Sequence, residues 1–597
     1  MSGHRSEPGD FTTTPRVIPI SLLAIAIGIV ATFVAWALLR LIGFFTNLFY
    51  YGRLADSMAS PAANHLGWWA VLVPVAGGVI VGMMARYGSD RIRGHGIPEA
   101  LESILINGSK VKPRLAVLKP VSSAIAIGSG GPFGAEGPII MTGGAIGSLI
   151  AQLFHLTAAE RKTLLVAGAA AGMAATFAAP VAAVLLAVEL LLFEWKPRSV
   201  IPVALASATA GASRRYILGL GPLFPVPHHS IFIGPQGLAG CVIVGLLAGA
   251  LSSILSLGVY ATEDTFGKLK CHWMWWPAIG GVFVGVGGMI FPRALGVGYD
   301  TIQYLLQGDV PGAVLAGVLF VKSAIWVIAL GSGTSGGVLA PLLMMGAALG
   351  GVEAAFLPAQ GAGFWPLVSM AAVLGGTMGA PFTAIVFAFE LTHDVNVLLP
   401  LLVASVLSYG TTVLLMKRSI LTEKIARRGL HLSREYATDP LEVLFVREVM
   451  RTNVAALPAS ATLDEIRHTL IREPMQRGQH LYPVVDQDRR LSGVVTRRQL
   501  RSLVESGATG SLGGILRRPV TAYSDEPLST VVARMAETGI TRMPVTDRDT
   551  GEIAGMISLR DLLQARVRQL NEERDRERVL QPRLRLPWSG RGAVRQS

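Results

Sequence analysis

Three short turns carry the residues of this chain best suited to chemistry: Gly94-His95-Gly96-Ile97-Pro98-Glu99, Gly134-Ala135-Glu136-Gly137-Pro138 and Gly337-Val338-Leu339-Ala340-Pro341. In each, a glycine frees the backbone for a tight entry. A proline then falls where the first turn of a helix accepts it, because the N–H that proline lacks would have no intrahelical acceptor there. A helix N-terminus exposes several unbonded N–H groups and about half a positive charge. Three of them converging on one point would hold an anion without any basic side chain. One such turn says little; three, two of them related by a repeat within the chain, predict an anion site. Glu136 stands apart, since a carboxylate near the middle of a bilayer costs ~2.5–3.5 kcal/mol on insertion scales and an unpaired one usually has a function.

The elements that must position these turns are duplicated. Residues 128–147 (GSGGPFGAEGPIIMTGGAIG) and 331–350 (GSGTSGGVLAPLLMMGAALG) match without a gap at GSG, at the proline and at two later glycines. A second pair follows at 179–190 (APVAAVLLAVEL) and 380–391 (APFTAIVFAFEL). Duplicated halves with Gly/Pro-interrupted apolar segments point to a transporter whose site lies at the repeat interface.

Composition agrees: of 597 residues 51% are hydrophobic and only 15% charged, and the mean hydropathy is +0.50. Residues 20–39 and 66–85 carry no charge, each about the 20 residues that ~30 Å of hydrocarbon requires. Further apolar runs, at 121–127, 164–188, 237–261, 278–291, 314–330, 339–352, 367–389 and 395–416, are mostly broken by Gly or Pro. They predict short, tilted or half-spanning helices, which lipid tolerates only where freed backbone groups are buried in protein or line a cavity. The 68 glycines fit close helix approach.

The net charge of +13 does not signal a nucleic-acid partner. Arg86, Arg91 and Arg93, then Lys417, Arg418, Lys424, Arg427 and Arg428, flank apolar spans, as cytoplasmic loops do. The basic tail at 568–597 reads as a solvated or lipid-facing extension. Cys241 and Cys271 support neither a disulfide framework nor a thiolate metal site. Residues 1–16 are polar and run into a span with no small-residue cleavage site, which predicts a cytoplasmic tail.

After Arg428 short Val-rich runs alternate with helical patterns, twice: LYPVVD (481–486) then LSGVVTRRQL (491–500), and RMPVTD (542–547) then IAGMISLRDLL (553–563). Each copy opens with a short element (446–450, 515–520) and passes through an amphipathic helix (463–472, 528–538). This soluble α/β module resembles the cystathionine-β-synthase (CBS) tandem, with copies at 446–505 and 512–567. The resemblance implies an adenine nucleotide as possible regulator, its ribose held by a Ser/Thr-x-x-Asp. Ser558 and Asp561 match that pattern, with Arg517, Arg518 or Arg560 near for phosphates, while the first copy has Thr496 but Gln499 in place of the Asp. Asp561 is equally explained as a first-turn carboxylate behind an N-cap Ser558.

Together the three turns resemble the signature motifs of the CLC chloride channel and transporter family, commonly GSGIP, G(K/R)EGP and GxFxP. The resemblance implies an all-α polytopic membrane domain over 17–430, with about eighteen short helices in two inverted repeats (about 17–215 and 232–430). It implies a homodimer with one anion pathway per subunit and both termini cytoplasmic. Glu136 takes the place of the gating glutamate. Gly94, His95, Gly96, Ile97, Pro98, Gly134, Ala135, Gly137, Pro138, Gly337, Val338, Leu339, Ala340, Pro341 and Leu421 take the anion-binding places. Three depart from the pattern: His95 replaces a Ser, Leu339 a Phe, and Leu421 the Tyr that usually closes the inner side. Anion coordination is then expected from the amides of Gly96, Ile97, Val338 and Leu339, with His95 either a further donor or an N-cap pointing into the intracellular loop. Glu189 and Glu390 read as structural, and the internal proton glutamate of exchangers is here Leu190.

The expected function is permeation of chloride or a similar small anion, channel-like or loosely coupled to protons, with strict Cl⁻/H⁺ antiport as the alternative. No enzyme activity and no required cofactor are expected. A CBS-bearing divalent-cation transporter would need carboxylates lining a pore, and the spans offer mainly Glu136, Glu189 and Glu390. A sensor that only needs an anchor would not need a duplicated membrane domain.

Overall fold

The computed structural model describes residues 13–105, 108–230, 232–427, 441, 444–462, 464–467, 479–506, 512 and 516–576. The chain divides into two compact units, Met1–Arg434 and Glu435–Ser597. The expected tails at 1–16 and 568–597 lie for the most part outside the described residues.

The first half of the membrane unit holds α1 (Val17–Tyr51), α2 (Leu72–Met83), α3 (Ile97–Leu105), α4 (Pro113–Gly128), α5 (Glu136–Gln152), α6 (Ala158–Phe177), α7 (Pro180–Leu186) and α8 (Pro197–Ile217). The second half holds α9 (Pro235–Gly267), α10 (Trp276–Ile290), α11 (Tyr299–Leu306), α12 (Gly312–Ala316), α13 (Ser323–Gly331), α14 (Leu339–Glu353), α15 (Phe364–Met378), α16 (Pro381–Thr392) and α17 (Leu398–Leu415), and α18 (Ile420–Arg427) closes the unit. These are eighteen α-helices among the described residues, as the resemblance implied.

Among the described residues six helical stretches are long and apolar enough to cross a membrane. The uncharged window at 20–39 is only part of α1, which has 35 residues. At 1.5 Å per residue α1 is about 52 Å long, well beyond ~30 Å of hydrocarbon, so it must lean steeply. It continues through Arg40, whose guanidinium meets Asp56 at 2.8 Å. It stops at Gly52, where φ of 60° lets the amide fold back onto the Asn47 carbonyl. Around the centre the helices are short: α3 has 9 residues, α7 7 and α11 8. All of α15 is buried, as is α6 from Thr163 to Phe177. A helix apolar on every face has no solvent or lipid side and belongs to an interior.

Contacts between the halves are reciprocal. Glu390 on α16 accepts from the amides of Val181 (2.9 Å) and Ala182 (2.8 Å) at the start of α7. Glu189, just past α7, accepts from the Thr383 amide (2.9 Å) and hydroxyl (2.5 Å) at the start of α16. Each carboxylate thus caps the opening helix of the other half, where first-turn amides lack intrahelical acceptors. The structural reading of both glutamates rests on this exchange. Two fully buried lysines hold equivalent places within the two halves: Lys119 Nζ donates to the Ile92 (2.8 Å) and Gly94 (2.7 Å) carbonyls, and Lys322 Nζ to those of Ala294 and Gly296 (2.8 Å each). Equivalent residues holding equivalent partners are what a two-fold relation between the halves produces.

In the second unit α19 (Val446–Val449) leads to β1 (Leu457–Pro458), β2 (Leu481–Val485), β3 (Leu491–Thr496) and α20 (Arg497–Ser506). Then come β4 (Ala522–Tyr523), α21 (Leu528–Thr538), β5 (Arg542–Thr546), β6 (Ile553–Ser558) and α22 (Leu559–Arg576). Each copy has a three-stranded sheet, in the orders β1-β2-β3 and β4-β5-β6. The first pair is parallel and the second antiparallel, with Tyr482 opposite Val495 and Met543 opposite Ile557. Of the helix expected at 463–472, residues 464–467 are helical, and the rest lies outside the described residues. The element expected at 515–520 is no helix or strand over 516–520, where only Arg517 bridges to Val494; residue 515 lies outside the described residues.

Candidate anion site

The three turns meet. The Gly134 amide donates to the Gly337 carbonyl (3.1 Å) and the Gly337 amide to the Gly134 carbonyl (2.8 Å), while the Gly336 amide donates to the Gly94 carbonyl (3.4 Å). This contact is again reciprocal, so the two-fold passes between Gly134 and Gly337. The backbones lie too close for side chains: a Cβ on Gly137 would fall 1.7 Å from the His95 carbonyl oxygen, and one on Gly96 2.5 Å from that of Gly137. Gly94 and Gly96 also have φ of 86° and 93°, a region costly for residues with a Cβ. Around this knot, Lys119 holds the first turn by its carbonyls, and the Ser123 and Ser335 hydroxyls meet at 2.8 Å.

α5 opens at Glu136, α14 at Leu339 and α3 at Ile97, which puts Pro138, Pro341 and Pro98 in first turns as their spacing required. Glu136 is fully buried. Its Oε1 accepts from the Ala340 amide at 3.1 Å, and its Oε2 has no partner among the described residues. The carboxylate therefore stands at the N-terminus of its own helix and reaches to that of α14, where the charge of two helix ends favours an anionic group.

Three expectations about side chains and amides change. The Gly96 amide is not free for an anion: it donates to Glu99 Oε2 at 2.8 Å. Glu99 lies in the first turn of α3 and closes that end itself, and Lys424 Nζ on α18 donates to its Oε1 at 2.5 Å. Gly94 contributes a carbonyl, already taken by Lys119. Ile97, Val338 and Leu339 keep the helix-opening positions whose amides lack intrahelical acceptors. His95 is no N-cap in an exposed loop: only 5% of it is exposed, its Nδ1 is buried without a partner among the described residues, and Glu99 does the capping. Leu421 is fully buried in the first turn of α18, whose start is held by the Tyr260 hydroxyl donating to the Ile420 carbonyl.

One group at the site was not legible beforehand as part of it, the Glu99–Lys424 pair, and the first turn has a counterpart in the second half. Gly296-Val297-Gly298-Tyr299 leads into α11 as Gly94-His95-Gly96-Ile97 leads into α3. The available signal was a lysine following each Gly-x-Gly at matching distance, 25 residues for Gly94 to Lys119 and 26 for Gly296 to Lys322. The Tyr299 hydroxyl is buried and has no partner among the described residues.

In the second unit Asp561 is fully engaged. Its Oδ2 accepts from the Ser558 amide (2.9 Å) and hydroxyl (2.5 Å) and its Oδ1 from Arg451 Nε (2.9 Å). Thr496 and Gln499 make the same turn in the first copy, Gln499 Oε1 accepting from the Thr496 amide (3.0 Å) and hydroxyl (2.7 Å). In this state the Ser-x-x-Asp is a helix-capping turn in which both carboxylate oxygens of Asp561 already accept from the chain.

Comparison with known proteins agrees with the geometry. The family model described as voltage gated chloride channel matches residues 77–413, and that of the CBS domain matches 446–506 and 512–568. A ClcB-like chloride channel protein of Ralstonia nicotianae is 29% identical over 384 residues, covering 62% of this chain and 89% of its own. The crystal structure of a slow cyanobacterial Cl⁻/H⁺ antiporter superposes with a TM-score of 0.61 at 22% identity, over 70% of this chain and 99% of that one. That of a eukaryotic CLC transporter does so with a TM-score of 0.57 at 18% identity, over 92% and 98%. The chain is therefore an integral membrane protein of the voltage-gated chloride channel (CLC) family, followed by two CBS domains.

Proposed function

We propose that the chain carries chloride or a similar small anion across the membrane, with Glu136 as the gate, one pathway per subunit of a homodimer, and both termini cytoplasmic. One observation carries the reading. The site between α5 and α14 is filled by the chain's own carboxylate, bound to the Ala340 amide. A site that holds a carboxylate by helix N-termini holds a halide by the same charges, and the two must compete. The name of the Ralstonia relative points to the same substrate. A groove of about 680 Å³ beside α7 and α8, lined by Ala204, Ala208, Gly211 and Ala212, offers small residues for the close helix approach of a second copy.

Transport is channel-like or loosely coupled to protons. Leu190 is fully buried where exchangers of this family carry an internal glutamate, so no carboxylate at that place relays protons to Glu136 from the inner side. The test is simultaneous recording of anion and proton flux in proteoliposomes loaded with chloride and voltage-clamped by valinomycin. Chloride efflux is expected with far less than stoichiometric proton uptake. A fixed chloride-to-proton ratio held over a range of voltages would establish strict antiport instead.

The CBS pair regulates and does not conduct. Binding of ATP or AMP would bring ribose hydroxyls to Asp561 Oδ1, beside or in place of its Arg451 partner. Calorimetry on the full chain is expected to give micromolar to millimolar binding, roughly −8 to −4 kcal/mol. Asp561→Ala should weaken it, and Arg451→Ala, which frees Oδ1, should not. Absence of binding at millimolar nucleotide would leave the pair as an assembly module.

A further inference from the structure

Two of the apolar stretches long enough to cross a membrane, Gly67–Gly88 and Trp273–Ile290, meet end to start. A Cβ on Gly82 would fall 2.1 Å from the Met274 carbonyl oxygen, and one on Gly88 2.9 Å from Leu118 Cδ1 on α4. Where these three elements come together there is a pocket of about 470 Å³, whose lining includes Arg86, Arg91, Lys112, Arg114, Asp90 and Trp273. That volume is in the range of small-molecule sites and far more than a halide needs. Trp273 is a fixed wall, because the Arg93 guanidinium lies over its ring at 4.7 Å.

The charge of the lining is unbalanced. Arg91 meets Glu102 at 3.6 Å, while Arg86, Lys112 and Arg114 have no ion-pair partner among the described residues. Asp90 is the one carboxylate in the lining. Cations gathered in this way repel one another, and an anion entering between them relieves that repulsion.

The position selects the source of the anion. Arg86 and Tyr87 lie in the last turn of one stretch and Trp273 opens the other, so the pocket sits where hydrocarbon gives way to water. Tyr and Trp at such ends occupy the headgroup level, and basic side chains there meet lipid phosphates. Tyr87 is 80% exposed and Val117, one turn along α4 from Arg114, 64%. Exposed apolar side chains therefore border the charged rim, as a ligand with acyl chains requires. Asp90 disfavours a bare anion, but its carboxylate accepts from a hydroxyl.

We propose that this pocket binds the headgroup of an anionic phospholipid, with the phosphate diester held by Arg86, Lys112 and Arg114 and a headgroup hydroxyl by Asp90. Phosphatidylglycerol offers that chemistry.

The test is native mass spectrometry of the full chain in detergent, titrated with phosphatidylglycerol, phosphatidylcholine or inorganic phosphate. The native protein is expected to retain phosphatidylglycerol in preference to phosphatidylcholine, and inorganic phosphate at equal concentration should not displace it. Arg86→Gln/Arg114→Gln should weaken phosphatidylglycerol binding about tenfold or more, and Lys112→Gln alone about fivefold. Lys268→Gln/Lys270→Gln removes as much charge just past the end of α9, outside the pocket, and should change binding less than about twofold. Thermal unfolding without added lipid, expected near native in every variant, separates lost binding from lost folding. Equal retention of the two lipids, unchanged binding in Arg86→Gln/Arg114→Gln, or equal losses in the two double variants overturns the proposal. So does displacement by inorganic phosphate, which would make this a site for a soluble anion.

Discussion

Glu136→Ala is expected to convert the protein into an open anion leak, with chloride flux at neutral pH raised about tenfold or more and proton movement abolished. The carboxylate now occupies the place between two helix N-termini and is bound there by the Ala340 amide. Alanine leaves that place to the anion at all times. The pH response should change with it. In the native protein, protonation removes the charge that the helix ends hold, so flux should rise as pH falls. In Glu136→Ala no carboxylate titrates in the pathway, and the profile should be flat. Glu136→Gln, neutral at every pH, should resemble Ala more than the native protein. A chloride flux in Glu136→Ala with the native pH dependence would exclude Glu136 as the gate.

The second large effect is expected from one methyl group. In Gly137→Ala the new Cβ would lie 1.7 Å from the His95 carbonyl oxygen and 3.2 Å from Gly337 Cα. Both neighbours are backbone, so no side chain can rotate away, and the three turns must separate. A shift of about 1 Å at a site that depends on converging amides is expected to reduce anion flux about a hundredfold. Gly144→Ala on the same helix is the control. Its Cβ would stand 3.4 Å from Leu165 Cδ2 and from the Leu165 carbonyl, near-ordinary contacts, and flux should stay within about twofold of native. The measurement is initial chloride efflux per reconstituted protein, with size-exclusion chromatography to verify assembly. Near-native efflux in Gly137→Ala would mean that the turns need not touch.

The contrast between Gly137 and Gly144 also separates what a sequence carries from what it does not. Both are glycines of α5, and although the turn motif marks Gly137, only the packing of α3 against α5 shows that it has no room for a Cβ. The same holds for the polar partners. Gly96 sits in a turn whose sequence predicts a free amide, yet Glu99 takes it, and Glu99 in turn meets Lys424, 325 residues away along the chain. Asp561 fits a ribose-binding pattern, yet Arg451, 110 residues earlier, already occupies it.

By itself the sequence determined the helix-opening turns, the duplication, the membrane class, the CBS pair and the place of Glu136. Gly, Pro and carboxylate positions act through caps and first turns, and apolar runs act through a hydrocarbon thickness, so these signals are complete within a few residues or one span. The tertiary structure alone decided that the turns of both halves meet at Gly134 and Gly337, that His95 is inside, and that Glu99 and Lys424 close the first turn of α3. Those facts depend on where tilted helices cross, and a two-fold between halves separated by some two hundred residues leaves no local trace of which side chains it brings together.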